Sequence, residues 1–210
     1  MAAGHPPSTV EVLMRQLKEG KKYFPNLNLH GVDGLELDLH GCDLRGGNFK
    51  ESRFGHAKFS CSNLQNCSFQ QALLWGADLS GALAQSSKWH DSDLSSARLQ
   101  KANFSDAFMH RCCLRGVLAA KSIWLGARLV EADFRSGLDQ LTDLGEANLH
   151  QADLSFAQLQ GANLRGADLS ESCLYGADLS DSDLRGADLR GCDLADTQLK
   201  GALLPEHLIP

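Results

Sequence analysis

No stretch of this 210-residue sequence approaches 18 consecutive apolar residues, so it holds no membrane-spanning helix. Its first residues lack a basic region followed by an apolar run, so no signal peptide is expected. Seven cysteines are present but no CxxC pair, and Cys112-Cys113 is not a zinc pattern. A thiol-rich interior in a reducing, cytoplasmic setting is expected instead of a disulfide framework. Lys and Arg, 20 against 26 acidic residues, form no basic stripe, which argues against direct nucleic-acid binding. The body of the chain also lacks both common periods. Neither a 3.6-residue spacing nor strict alternation organises it.

What organises it is a period of five. From Leu29 to Leu204 there are 36 positions in one phase: 23 Leu, six Phe, two Trp and one Met, with Gly34, Ala84, Ala119 and Asp139 as the exceptions. Two residues before each stands a small residue, Leu27 and Leu37 apart. The unit is small, Asp or Asn, large, then two variable residues. Ala167-Asp168-Leu169-Ser170-Glu171 is an example. A fixed period means a solenoid whose units bury their faces against neighbours. The pattern works if each pentapeptide forms one side of a square coil, with four to a turn. The large and small residues then point inward. The Asp or Asn faces out and can hydrogen-bond local backbone at the bend.

Positions twenty apart should therefore stack. One expected column is Leu29, Phe49, Phe69, Trp89, Met109, Leu129, Leu149, Leu169 and Leu189. Ala84 precedes Trp89 and Ala119 precedes Trp124 on adjacent sides, so each large ring is expected to fill the space its neighbour leaves. Cys42, Cys67, Cys112 and Cys192 occupy the small inward position and should behave as small hydrophobes.

The segments ADLSG at 77–81, GANLRGADLS at 161–170 and YGADLSDSDLRGADLRGCDL at 175–194 resemble pentapeptide-repeat proteins over residues 27–204. That resemblance implies an all-β fold: a right-handed quadrilateral β-helix of about nine coils, roughly 40 Å long at the usual strand spacing. The opening EVLMRQLKEGKKYFPNLNL and the later break SGLDQLTDLGEANL are similar to cyanobacterial members of the family. They imply a regulatory protein-binding role without catalysis or cofactor.

The expected organisation is an N-terminal helix and cap at 1–24, the repeat at 25–204 with an irregular stretch at 136–143, and a C-terminal tail at 205–210. Ser8 with Glu11 reads as a capping box ahead of Val10, Leu13, Met14 and Leu17 at helical spacing. Such a helix would cover the open first coil, as solenoid ends require. Leu203, Pro205, Leu208 and Ile209 form only a short plug. With no long helix there to drive dimerisation, a monomer is expected.

Catalytic residues are not expected, because the recurring Asp has a structural cause and a convex rod offers no enclosed pocket. His30, His90, His110 and His150 all follow a central residue on what strict phase makes one side. Without further ligands this column is read as solvated, and no metal is expected. Residues 106–210 carry 16 acidic and 9 basic residues. The quinolone-resistance members of the family bind DNA gyrase as acidic DNA mimics, and that is the alternative function. Arg165, Arg185, Arg190 and Lys200 interrupt the acidic half and argue against it.

The best functional lead is the break. Strict phase would bury Asp139, at a cost of several kcal/mol if charged (order of magnitude). The chain is expected to bulge there and turn Asp139 out. Leu118, Ile123, Leu125, Val130, Leu138 and Leu141 are apolar at outward positions nearby. With Asp139 they are the candidate protein-binding surface, since clustered exposed apolar residues mark interfaces. The competing reading has the loop fold over these leucines and bury them.

Overall fold

The computed structural model describes residues 9–206. Its body is built from parallel single-residue bridges. Asp33 pairs with Arg53, Arg53 with Leu73 and Leu73 with Asp93, and each of the other sides repeats the pattern. Twenty residues make one turn and four bridged positions share it. Here side 1 carries Leu29 at its centre, side 2 Gly34, side 3 Leu39 and side 4 Leu44. The periodic positions begin one unit before Leu29: Tyr23 bridges Asp43, and Phe24 is buried.

Each unit spends its backbone groups in a fixed way. The central residue donates its N–H to the following coil, as Leu29 does to the Asn48 carbonyl at 2.8 Å. The Asp/Asn position turns both its N–H and its carbonyl to the preceding coil. Asn48 donates to the Leu27 carbonyl and accepts from Leu29. Its side chain closes the corner: Asp78 Oδ1 accepts the Ser80 N–H at 2.9 Å, and the same Asx bond recurs from Asn28 to Asp193. The second corner residue is left-handed at every step from Asn26 to Gly201 except at Ser136 and in the loop. Glycine suits that conformation, yet Glu36, Lys101 and Phe156 also adopt it.

The core is one continuous cluster. Phe49, Phe69 and Trp89 stack along side 1, with ring centroids 4.7 and 4.1 Å apart and planes within 13° and 5°. Phe104 and Trp124 stack on side 4 at 4.6 Å. Both tryptophans lie beside the alanine the sequence pairs them with, and all four residues are fully buried. A serine at the small position completes each pair. Trp124 Nε1 donates to Ser122 Oγ at 2.6 Å, and Ser122 Oγ donates to the Ala119 carbonyl at 2.5 Å. Trp89, Ser87 and Ala84 repeat the arrangement. Ser122→Ala should leave the buried indole N–H unpaired and cost about 1–3 kcal/mol, read as a lowered urea midpoint at constant slope. Gly34, an exception at a core position, is occupied from below: a Cβ there would meet the Phe54 ring. Cys67 and Cys112 donate to carbonyls of the preceding coil, and burial pushes both thiols up to about 12.

Helix α1, Val10–Lys18, precedes the coils. Its N-cap is Thr9, whose hydroxyl accepts the Val12 N–H at 3.3 Å. The capping residue therefore falls one position later than the Ser8 expected from sequence, which lies outside the described residues. Leu13 is fully buried, and Val10 and Leu17 pack against the core cluster.

One turn differs. Between Leu118 and Asp143 the bridge spacing is 25 residues instead of 20, and so it is for the next three bridges. Five residues, 137–141, stand outside the wall, and Asp139 is exposed, turned out as the sequence requires. Of the thirty-six units counted from Leu29 to Leu204, the one centred on Asp139 stands outside the wall. The extra five residues also rotate every later unit by one side. Leu129 is followed in its column by Leu154, because Arg128 bridges Asp153, and not by Leu149 as strict phase expects.

Candidate interaction surface

The loop leaves the wall at the corner between sides 2 and 3 and is pinned at its foot. Thr142 Oγ1 accepts the Gly116 N–H at 2.9 Å and donates to the Arg135 carbonyl at 3.0 Å. Gly137 N–H donates to the Gln140 carbonyl at 2.7 Å, and the Gln140 amide reaches the Gly116 carbonyl. Gly116 must be glycine here. Its φ is +62°, and a Cβ would sit 3.1 Å from the Gln140 carbonyl oxygen and 3.2 Å from Gly137. This bonding holds Leu138 and Leu141 out in solvent, at 105% and 66% exposure. The loop does not cover them.

Of the other candidate residues, only Leu118 adjoins the loop. Leu118, half-buried on side 3, bridges Asp143 and so lies beside it. Ile123 sits on side 4, where it bridges Asn148. Leu125 stands at the corner of sides 4 and 1, and Val130 at the corner of sides 1 and 2. Of the seven candidates, Leu118, Leu138, Asp139 and Leu141 are brought together. The register of four units per turn separates the rest.

Sequence reading missed a second exposed apolar corner, on the N-terminal half of side 2. Trp75 lies across Gly55, towards Leu35, and His56 meets its ring edge-on at 4.6 Å. The available signal was Gly55, twenty residues before Trp75, at a position that would otherwise carry a side chain. A third cluster, Phe156 against Tyr175 at 5.3 Å, marks the corner of sides 1 and 2.

Two open basins flank that corner. One, about 590 Å³, is lined by Arg111, Glu131, Asp133, Phe156 and Gln158. The other, about 560 Å³, holds His90, Phe108, His110, Arg128, Val130 and Asp153. His110 Nδ1 bonds the Val130 carbonyl at 3.0 Å, and burial lowers the His90 pKa. His150 does not share this column, since Asn148 bridges Ile123 and not Arg128. No group of three or more metal-ligating side chains occurs among the described residues.

Some of the aspartates are paired within their own unit. Arg45, Arg135, Arg185 and Arg190 each fold back onto the aspartate two residues before. Asp133 also takes Arg115, at 2.5 Å. Hydrogen bonding from Arg45, Arg111 and Arg185 holds Asp43, Asp91 and Asp183 below the usual carboxylate range, Asp183 at about 2. In the unfolded chain these groups return to about 3.9, so acid protonates the unfolded state first. The stabilisation from these pairs is complete above the unfolded pKa and is lost as pH falls through the folded values. The urea midpoint should hold from about pH 7 to 5 and fall between about pH 4 and 2. In Asp183→Asn the midpoint should start lower at neutral pH and fall less steeply in acid.

A square solenoid of five-residue units with Asx-closed corners defines a class of repeat protein. The profile of the Pentapeptide repeats family matches residues 38–76, 77–116, 142–170 and 172–205, in eight copies. The chain belongs to the pentapeptide-repeat family, whose fold is the right-handed quadrilateral β-helix. The unmatched 117–141 contains the loop. Among solved structures it is similar to HetL, a pentapeptide-repeat protein involved in heterocyst differentiation regulation from the cyanobacterium Nostoc sp. strain PCC 7120. Identity is 30%, the match covers 97% of this chain and 100% of HetL, and the TM-score is 0.50. It also matches QnrB1, a plasmid-mediated fluoroquinolone resistance protein, at 21% identity, 87% and 92% coverage and TM-score 0.39. A third match is Rfr23 of the cyanobacterium Cyanothece 51142, at 22% identity, 92% coverage of both chains and TM-score 0.28. No curated protein matches the sequence.

Proposed function

We propose that this protein is a non-catalytic interaction module, a rigid rod that presents the 137–141 loop and Leu118 to a regulatory protein partner. The observation that carries this is the exposure of Leu138 and Leu141 on a loop fixed by four hydrogen bonds at its foot. Ordered apolar side chains of this kind bind with little further loss of entropy. The regulatory role of HetL, matched over its whole length, supports the same reading. Helix α1 serves to close the first coil, and the seven free thiols suit a reducing compartment such as the cytoplasm.

A gyrase-directed DNA mimic would need carboxylates free to stand where phosphates sit. Here the arginines folded onto Asp43, Asp133, Asp183 and Asp188 cancel that charge locally. We expect no effect on gyrase supercoiling, with or without a quinolone, at stoichiometric protein.

The interaction reading is tested by affinity capture from the native organism. Leu138→Asp/Leu141→Asp should lose the captured protein while its stability stays within about 1 kcal/mol, because both side chains are solvated. Leu83→Asp, at an exposed leucine on side 4, should capture normally. Capture unchanged in the loop variant would place the interface elsewhere and sink the proposal.

A further inference from the structure

Resting on that reading, we infer the chemistry of the partner: a protein segment whose apolar side chains are rimmed by carboxylates. The chain as a whole carries a net charge of −6, yet the residues around the loop leucines reverse that sign. Arg98 precedes Leu118 in the side-3 ladder. Arg115 adjoins Gly116, on which the loop rests, and Arg135 leads into the loop. Lys101 and Lys121 occupy the next corner.

The acids nearby are mostly committed. Asp133 accepts from both Arg115 and Arg135. Asp143 accepts from the Asn163 amide at 2.7 Å and the Gly145 N–H at 3.0 Å. Glu146 pairs with Lys121 at 3.3 Å. Asp139 is the one exposed acid on the loop itself. Arg98 and Lys101 are exposed and make no ion pair among the described residues. Two cations that make no ion pair thus stand beside Leu118, with Asp78 next to Arg98 in the ladder, and two arginines share Asp133 at the loop's foot.

This arrangement discriminates between partners. An apolar anchor with acidic neighbours gains attraction from Arg98 and Lys101 without breaking an existing pair. A basic rim meets like charge at the same positions, and like charges facing each other across an interface cost several kcal/mol (order of magnitude). Recognition is then shared: the leucines supply the contact and the cations select its sign.

The test uses the full chain, isotope-labelled, and two synthetic amphipathic helical peptides. They share one leucine face and differ only in having glutamates or lysines around it. The glutamate peptide should shift the amides of residues 116–121 and 136–143 and bind at least about tenfold more tightly than the lysine peptide. Its affinity should fall by roughly fivefold or more from low to 0.5 M salt. Arg98→Gln/Lys101→Gln, whose side chains hold no ion pair, should abolish the preference while circular dichroism shows the fold retained. Leu138→Asp/Leu141→Asp should lose both peptides. Equal binding of the two peptides at the loop would overturn the acidic partner and leave the interface standing. Shifts confined to the Trp75 or Phe156 corners would overturn the interface itself, and so would binding of neither peptide.

Discussion

Trp124→Ala should lower the unfolding free energy by about 3–5 kcal/mol, among the largest losses any single side chain of this rod can give. The indole is fully buried, stacked on Phe104 at 4.6 Å and edge-on to Phe134 at 6.1 Å. Its neighbour on side 3 is Ala119, so no adjacent side chain can move into the space. The Ser122 hydroxyl loses its donor as well. Trp89→Ala should cost as much, because Trp89 stacks on Phe69 at 4.1 Å beside Ala84. The complementary change is Ala119→Leu, which overfills the same cross-section and should cost about 1–3 kcal/mol. Combined with Trp124→Ala it should cost less than the two losses added, since each variant relieves the other. Urea denaturation of the four proteins measures that coupling. A rise in melting temperature from Ala119→Leu alone would show that alanine and tryptophan do not share one cavity.

The square coil was legible because its cause is local. Every unit carries its own large residue, small residue and Asx corner, so the period of five appears directly in the letters. The pairing of Ala84 with Trp89 and Ala119 with Trp124 was legible for the same reason, being only one unit apart. Two features were not. The five residues of the loop equal one unit, so the apolar series resumes in phase after Asp139 and strict counting continues across it. What the loop changes is which side each later unit joins, and that rotates Leu149 and His150 away from the columns that counting assigns them. The second is the left-handed corner. Lysine, glutamate, histidine and phenylalanine occupy it as well as glycine, so residue type does not reveal a backbone imposed by the coil. The candidate surface was half legible. The break located the loop, but Leu118, Ile123 and Val130 are close in sequence and a square coil sends them to different sides. Sequence distance is a poor guide to proximity wherever the chain turns every five residues.

Removing residues 1–20, or replacing Leu13 with Asp, should make the rod associate more than the unaltered protein does. Leu13 is fully buried and belongs to the same core cluster as Phe24, Leu27 and Leu29. The first coil has no predecessor to accept it. The Asp/Asn position turns its N–H and carbonyl towards the preceding coil, and at Asn28, Asp33 and Asp38 those groups have none to meet. On the proposed reading, helix α1 would cover the apolar cross-section and block the approach of another strand edge. An aspartate at position 13 cannot stay ionised in that contact, since burying an unpaired carboxylate costs several kcal/mol (order of magnitude). The helix undocks instead, while the coils beneath retain their own ladder. The exposed end is then an unpaired parallel edge surrounding bare leucines, the arrangement that recruits a second chain. Light scattering should show a concentration-dependent rise in mass for both variants, with the coil's circular dichroism retained. Met14→Asp, on the exposed face of the same helix, should associate no more than the unaltered protein. If the Leu13 variant also associated no more, with its melting temperature unchanged, α1 would have some purpose other than closing the rod.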